Sequence, residues 1–259
     1  MPDVTATRRC WAVLLSALTV VPLLVLPVRA VADVWRAPAL LPQAFGTRGF
    51  AWMASPGARI SEAVTTSLII ALLATTIALL LAWPAARVLS GLSVRRRTML
   101  QAVIAAPLLV PEFATGTGLV TWLLQLGPAD RLPGLVAAHL VYVLPYVVLV
   151  LTPAFGDDLR RLEEAAATAG AGRAAMLRLV TVPKVARPLA TAGLLAFVVS
   201  WSQYGTTLAV GGGGRLTLPI VLLPFVSRDP QLTAALSLVF LLPPLVALAA
   251  ASRAWRIRT

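Results

Sequence analysis

The chain has 259 residues, of which 59% are hydrophobic and only 12% are charged. Soluble globular domains are on average much less apolar, so this composition excludes an ordinary soluble domain and indicates an integral membrane protein. The formal net charge of +12 would suggest nucleic acid binding in a soluble protein, but here the basic residues cluster at the ends of apolar runs, as in membrane proteins. The single cysteine, Cys10, excludes a disulfide within the chain.

Six apolar runs follow one another along the chain, each close to the ~20 residues that a helix needs to cross a hydrocarbon core. They predict an all-α polytopic membrane protein in which residues 1–259 form one transmembrane domain. The predicted spans lie at about 11–28, 63–86, 98–126, 135–155, 189–210 and 232–251. The first run also resembles a signal peptide, with a basic start and a small-residue end; we interpret it as a retained span, and cleavage stays an alternative.

Prolines and short segments interrupt this pattern. Pro107 and Pro111 break the third predicted span, and residues 32–59 are polar and Pro/Gly-rich enough for an exposed loop. Residues 216–226 are apolar but too short to cross a bilayer, so they predict a re-entrant or interfacial segment.

The distribution of Lys and Arg predicts the orientation. With the N-terminus in the cytoplasm, 15 of the 22 basic residues fall in inside segments and 7 in outside segments. The densest basic cluster, residues 95–97, and Arg87 at the end of the second span are then inside. By the positive-inside rule, both termini and the polar segment after the fourth span are predicted to be cytoplasmic.

That polar segment, residues 157–183, predicts a helix-turn-helix. Acidic residues open a run of strong helix formers over 157–169, and Gly170 permits the left-handed conformation that ends a helix tightly. Residues 173–180 predict a second short helix, and Pro183 discourages its continuation.

No catalytic or nucleotide site is expected. The run that begins at Gly170 matches G-x-G-x-x-A, but a helix-forming segment rather than a strand precedes it, so a dinucleotide site is rejected. The sequence has no G-x-x-x-x-G-K-[ST] phosphate loop, no Ser/His/Asp set and no spacing typical of metal ligands. We therefore expect no enzyme activity, no cofactor and no bound metal.

One pattern inside the polar segment is more specific. Glu164-Ala165-Ala166 is followed after three residues by Gly170 and, after nine more, by Val180 and Val182-Pro183. This pattern resembles the EAA motif of bacterial ABC-importer permeases, which reads E-A-A, three residues, G, nine residues, I-x-L-P. The residues that the resemblance implies for ATPase coupling are Glu163, Glu164, Ala165, Ala166, Gly170, Val182 and Pro183.

The resemblance implies a permease that forms half of a solute pathway. Its expected partners are separate ABC ATPase subunits, a second permease chain, identical or related, a solute-binding protein outside the membrane, and the lipid bilayer. Flanking residues around His139 and Ser200–Tyr204 resemble the branch that serves iron(III), polyamine, thiamine and phosphonate-type importers, and they do not identify the cargo.

Polar residues at membrane depth are costly in hydrocarbon and usually face a cavity, so they predict the translocation pathway. The candidates are Glu112, Trp201, Gln203 and Tyr204. A structural alternative is that Glu112 and His139 satisfy each other or a neighbouring backbone group. A functional alternative is a proton-coupled secondary carrier that uses these two residues as a relay, and a third is a non-transporting membrane scaffold. Internal sequence halves would favour a carrier, and the sequence has no convincing repeat.

Overall fold

The computed structural model describes the backbone of residues 4–256 and the side chains of 8–253 and 255. Almost all of this range is α-helical, and its only strands form one small hairpin, so the prediction of an all-α membrane protein is confirmed. The α-helices of the described range, in chain order, are α1 Val4–Ala30, α2 Arg48–Ala54, α3 Ile60–Ser90, α4 Val94–Ala105, α5 Glu112–Leu126, α6 Leu132–Leu151, α7 Asp157–Thr168, α8 Arg173–Met176, α9 Val182–Ser202, α10 Gly205–Gly211, α11 Leu218–Leu222 and α12 Pro230–Arg256.

Within the described residues, five helical segments are long and apolar enough to cross a membrane. They are 8–30, 56–90, 132–155, 173–202 and 230–253. The pair 94–109 and 112–126 makes a sixth if it is taken as one span, but the two helices meet at an angle of 98°. The number of spans therefore stays a prediction.

The third predicted span, 98–126, which the sequence shows interrupted by Pro107 and Pro111, is divided into α4 and α5. A 3₁₀ turn at Ala106–Leu109 contains Pro107, and Val110 is extended, with φ −101° and ψ 133°. Pro111 excludes the helical conformation from the residue before it, so the chain leaves the helix at Val110 and restarts as α5 in a new direction.

At the fifth predicted span, 189–210, the helix has different boundaries. The helix starts at Arg173 and ends at Ser202, where Gln203 is extended, and α10 is separate. Pro183 does not end the second hairpin helix, because α8 continues through a π-helical turn, Leu177–Thr181, into α9. Pro183 lies in the first turn of α9, where its missing N–H costs little.

The chain divides into two compact units. One comprises the residues up to 61 together with 221–243, and the other comprises 62–220 together with the residues from 244 onwards. The single domain predicted over 1–259 stays a prediction.

The first unit gives structure to residues 32–59, which the sequence predicted as a loop. Strands β1 Ala32–Val34 and β2 Ala44–Phe45 pair antiparallel, and α2 follows them. The Arg48 guanidinium donates two hydrogen bonds, of 2.6 and 3.0 Å, to the Asp229 carboxylate. These bonds hold the pKa of Asp229 below its ordinary value, so the stability that the pair contributes is present above the ordinary carboxyl pKa and is lost as the pH falls through the lowered one.

The second unit is built around α3, α6 and α9. One stripe of α3 consists of buried alanines at helical spacing, which lets neighbouring backbones approach closely. The buried alanines of this stripe are Ala71, Ala74, Ala78, Ala82 and Ala86. Ala78, Ala82 and Ala86 pack with buried residues of α6 and α9 in one apolar core that positions α7 beside the ends of these helices.

Candidate functional site

Helix α7 ends in the tight turn for which the sequence singled out Gly170. Gly170 has φ +85°, a conformation that side-chain-bearing residues rarely adopt, and a Cβ added to it would meet nothing within 4 Å. The requirement for glycine is therefore set by the backbone conformation and not by crowding. Gly172 has an ordinary extended backbone, with φ −70°, and begins α8.

The EAA residues divide between an outward and an inward side of α7. Glu164, Ala165 and Gly170 are exposed, and the Glu164 carboxylate has no hydrogen-bond or ion-pair partner among the described residues. A groove of about 340 Å³ lies on this side between α7 and α8, lined by Arg160, Glu163, Glu164, Ala167 and Met176. Of the other predicted coupling residues, Ala166 and Pro183 are half-buried and Val182 is exposed.

Glu163, which the sequence grouped with these residues, points the other way. Its Oε2 lies 2.5 Å from Nη2 of Arg87 near the end of α3. Its Oε1 accepts a hydrogen bond of 2.5 Å from the hydroxyl of Thr181, which is buried in the π-helical turn. We call Arg87, Glu163 and Thr181 the joint, because they tie α7 to the ends of two long helices.

Aromatic rings support the joint. The Arg87 guanidinium lies over the Phe155 ring, 5.8 Å from its centroid, and Phe155 packs edge-on against Trp83 at 5.0 Å. Phe155 ends the helical segment 132–155, so three long helical segments converge on α7. The sequence interpreted Arg87 only as the charge that ends the second span and overlooked Thr181, because neither residue belongs to a local motif.

A second polar cluster surrounds the break between α9 and α10. Glu112, the first residue of α5, accepts a hydrogen bond of 3.0 Å at Oε2 from the Gly205 N–H, which opens α10. The helices are in close contact, because a Cβ on Gly205 would lie 3.0 Å from the Glu112 Cβ, and one on Gly116 would lie 2.7 Å from the Ala209 Cβ. Glu112 is half-buried, and its carboxylate caps the N-terminus of α10 after the break that follows α9.

His139 is fully engaged elsewhere. It is buried, and its two ring nitrogens lie 2.8 Å from the Ser200 hydroxyl and 2.9 Å from the Thr207 hydroxyl. The structure therefore does not pair Glu112 with His139. Of the two structural alternatives, the structure shows the second, in which Glu112 forms a hydrogen bond with a neighbouring backbone group. The suggested proton relay has no direct contact between Glu112 and His139.

Three of the predicted pathway residues lie at this break in different environments. Trp201 is buried and stacks on Phe197 with the ring centroids 6.0 Å apart. Tyr204 is half-buried and meets Phe113 edge-on at 5.8 Å. Gln203 is 2% exposed, and neither atom of its side-chain amide has a hydrogen-bond partner. Burying an amide without hydrogen-bond partners costs free energy. The Gln203 amide would gain partners through a change of conformation or from a bound molecule.

The family of the chain follows from comparison with known proteins. Residues 74–255, well over half of the chain, match the family described as "Binding-protein-dependent transport system inner membrane component". The chain belongs to this family. It is thus a permease of the ABC transporter type, and the family is one of transport permeases rather than enzymes.

Named relatives agree with this assignment. The permease is 32% identical to the "Putative ABC transporter permease protein ORF1" of Streptomyces antibioticus over 66% of this chain and 75% of that protein. It is 31% identical to the "Putrescine transport system permease protein PotI" of Escherichia coli K12 over 69% of this chain and 66% of that protein. It is 32% identical to the "Molybdenum transport system permease protein ModB" of Azotobacter vinelandii over 58% of this chain and 72% of that protein.

Both clusters of the permease lie within the matched residues 74–255. No group of three or more His, Cys, Asp or Glu side chains in the described part of the chain is placed to hold a metal ion.

Proposed function

We propose that this permease is one half of the membrane core of a type I ABC importer and that α7 is its coupling helix. The observation that carries the proposal is the exposed E-A-A face of α7, with an unpartnered Glu164 and a Gly170 turn, in a chain of this family. ATP is hydrolysed in separate subunits, a second permease chain completes the pathway, and a solute-binding protein delivers the cargo.

In this proposal the joint transmits motion. When ATP closes the two ATPase subunits, each moves the α7 helix that sits in its cleft. A helix that is held to α3 and to the π-helical turn by two short hydrogen bonds cannot move without moving those spans. The spans then rock between inward-facing and outward-facing arrangements, which is a rigid-body form of alternating access.

The proposed location is a bacterial inner membrane with α7 and both termini on the cytoplasmic side. The excess of basic residues on that side supports it. The termini themselves, 1–3 and 257–259, lie outside the described residues. Relatives are named for cargoes as different as putrescine and molybdenum, so we assign no cargo.

The docking role of α7 is tested by co-purification of the permease with its partner ABC ATPase. Glu164→Arg reverses the charge on the outward face, and we expect it to lower the ATPase retained by about tenfold, the effect of ~1.4 kcal/mol. Asp158→Arg makes a matched charge change elsewhere on α7 at an exposed carboxylate without a partner, and it should leave binding unchanged. Equal binding by Glu164→Arg and wild type, with both proteins folded, would contradict the proposal.

The number of permease chains in the complex is measured in the same purified preparation. The mass of the solubilised complex should correspond to two permease chains and two ATPase subunits, since one α7 fills one cleft. An active complex with a single permease chain would refute the paired arrangement.

Glu112 is proposed to face the pathway as well as to cap α10. Glu112→Gln keeps an acceptor for the Gly205 N–H but removes the charge, so we expect normal assembly with transport reduced about threefold or more, the effect of at least ~0.7 kcal/mol. Glu112→Ala leaves that N–H without a partner and should also destabilise the fold, by about 1–3 kcal/mol. Thermal unfolding and solute uptake are measured for both variants. If Glu112→Gln transports like wild type and only Glu112→Ala fails, Glu112 is a cap and has no role in the pathway.

A further inference from the structure

A basic row and an apolar groove lie side by side where α3 ends and α4 begins. Residues 95–97 are three consecutive arginines in the first turn of α4, which we call the arginine row. Arg95 and Arg96 are exposed and Arg97 is half-buried. None of the three guanidinium groups has a hydrogen bond or an ion pair to a described residue, so all three are available to a ligand.

The neighbouring groove has about 380 Å³ of space and is open to the surface of the protein. Its lining is entirely apolar and consists of Pro84, Ala85, Val88, Leu89, Leu100 and Ile104. Val88 and Leu100 are 67% and 45% exposed, so large apolar side chains face whatever fills the groove. The α3 wall belongs to a segment apolar enough to cross a membrane, and the α4 wall to the bent pair 94–109 and 112–126, which is apolar enough only when taken together, so the proposal places the groove at the edge of the hydrocarbon.

Arg97, the last residue of the arginine row, is aligned with the groove along α4, whereas Arg96 and Arg95 lie about 100° and 200° further around the helix. Arg97, Leu100 and Ile104 follow one another at helical spacing i, i+3 and i+7, so they share one face of the helix. At 1.5 Å per residue, Ile104 lies about 10 Å along the axis from Arg97. A ligand whose charged end contacts the arginine row therefore has its apolar part along the groove. The first turn of α4 contains no acidic residue that would compete for the guanidinium groups.

We propose that this is a binding site for an anionic phospholipid, with the phosphate on the arginine row and an acyl chain in the groove. The planar fork of Arg matches phosphate oxygens in pairs, and three unpaired arginines favour a headgroup with net negative charge over one in which an ammonium group balances the phosphate. Basic pockets between transmembrane helices at the membrane surface are known to suit such headgroups.

The coincidence of charge and groove distinguishes this position from other basic ends of helices. Arg8 and Arg9 at the start of α1 adjoin a helix whose apolar stretch has no buried residue and hence no groove against the described protein. Arg87 and Arg160 are already paired with carboxylates, namely those of Glu163 and Asp157. The orientation rule for basic residues explains why arginines lie at a membrane surface, but not why a dry groove begins one turn beyond them.

Native mass spectrometry of the purified permease in neutral detergent tests the headgroup. Phosphatidylglycerol should be retained about fivefold more than phosphatidylcholine with the same acyl chains, and added salt should reduce the difference. The triple variant Arg95→Gln, Arg96→Gln, Arg97→Gln should remove this preference. The control double variant Arg8→Gln, Arg9→Gln removes charge from a helix end that has no groove. It should keep the preference for phosphatidylglycerol. Equal retention of both lipids by the wild type would overturn the proposal.

The groove is tested separately. Val88→Trp should fill it and lower the retention of phosphatidylglycerol about fivefold, whereas Leu80→Trp, at a position of the same helix that is 69% exposed, should not. If Val88→Trp has no effect, no acyl chain occupies the groove and the proposed site is wrong.

If the triple arginine variant keeps its lipid preference but loses the ATPase, the arginine row is a protein-docking surface and the proposal fails. All of the substituted side chains are exposed or half-exposed, so the variants are expected to fold.

Discussion

Glu163→Ala is expected to lower ATP-driven transport by about tenfold or more while the ATPase subunits still bind, because it opens the joint between α7 and the spans and keeps Glu164 and Ala165 in place on the outward face. The Glu163 side chain is 11% exposed and accepts two hydrogen bonds of 2.5 Å, from Arg87 and Thr181. A hydrogen bond to a charged group contributes about 1.5–3 kcal/mol in buried sites. Because the Arg87 side chain is 44% exposed, solvent screens part of its contribution, and we expect about 1–2 kcal/mol for the joint as a whole.

The measurement is the ratio of solute transported to ATP hydrolysed in reconstituted vesicles. A merely structural role would lower both quantities together, whereas a broken joint lets hydrolysis continue with little transport. Glu163→Arg combined with Arg87→Glu restores a pair of opposite charges and should recover part of the coupling. Asp157→Ala removes an ion pair with Arg160 that lies on the same helix but is exposed on both sides, so it should have no effect. A Glu163→Ala complex with the wild-type ratio would show that the joint does not transmit motion.

Gly170→Val is expected to uncouple transport from ATP hydrolysis to a similar extent, for a conformational reason. The residue has φ +85°, and a β-branched side chain is strongly disfavoured there, although no atom lies within 4 Å of the added Cβ. The strain, of the order of 1–3 kcal/mol, is relieved only by changing the turn. That change would rotate α7 relative to α8 and move Glu164 away from its docking position.

Two substitutions separate backbone strain from other effects of a side chain at this turn. Gly170→Asn should retain most of the coupling, because asparagine tolerates the left-handed conformation better than other side-chain-bearing residues. Gly172→Ala should be nearly silent, since Gly172 has φ −70° and an added Cβ would meet nothing within 4 Å. Transport and ATP hydrolysis are again measured together. Wild-type coupling in a folded Gly170→Val permease would mean that the conformation of the turn is unimportant.

Local chemistry made much of the fold predictable. Hydropathy placed the apolar helices, because each needs only a run of about 20 apolar residues, whatever its neighbours are. The turn at Gly170 was predictable because a left-handed residue at a helix end favours glycine. Pro111 signalled a break in the third span but not its angle of 98°, which depends on how α5 and α10 pack.

Helix boundaries near prolines were less predictable. Pro183 was expected to end a helix, yet a π-helical turn before it lets the chain continue from α8 into α9. Such a turn widens the hydrogen-bonding pattern by one residue, and here a tertiary contact between Thr181 and Glu163 accompanies it. The break after Ser202 was missed because no proline marks it and because the Gly205 N–H that follows it is capped by a residue 93 positions away.

The sequence by itself determined that this protein is an all-α membrane permease, which residues form the E-A-A pattern and where the left-handed turn lies, because these depend on composition, spacing and local backbone conformation. Only the tertiary structure decided that Glu163 faces the spans while Glu164 faces outward, that His139 bonds two hydroxyls rather than Glu112, and that Gln203 is buried without a partner. The partners of Glu163 and Glu112 are 76 and 93 residues away along the chain. Contacts over such separations arise from the way helices pack, and a one-dimensional pattern carries no record of which face of a helix meets which neighbour.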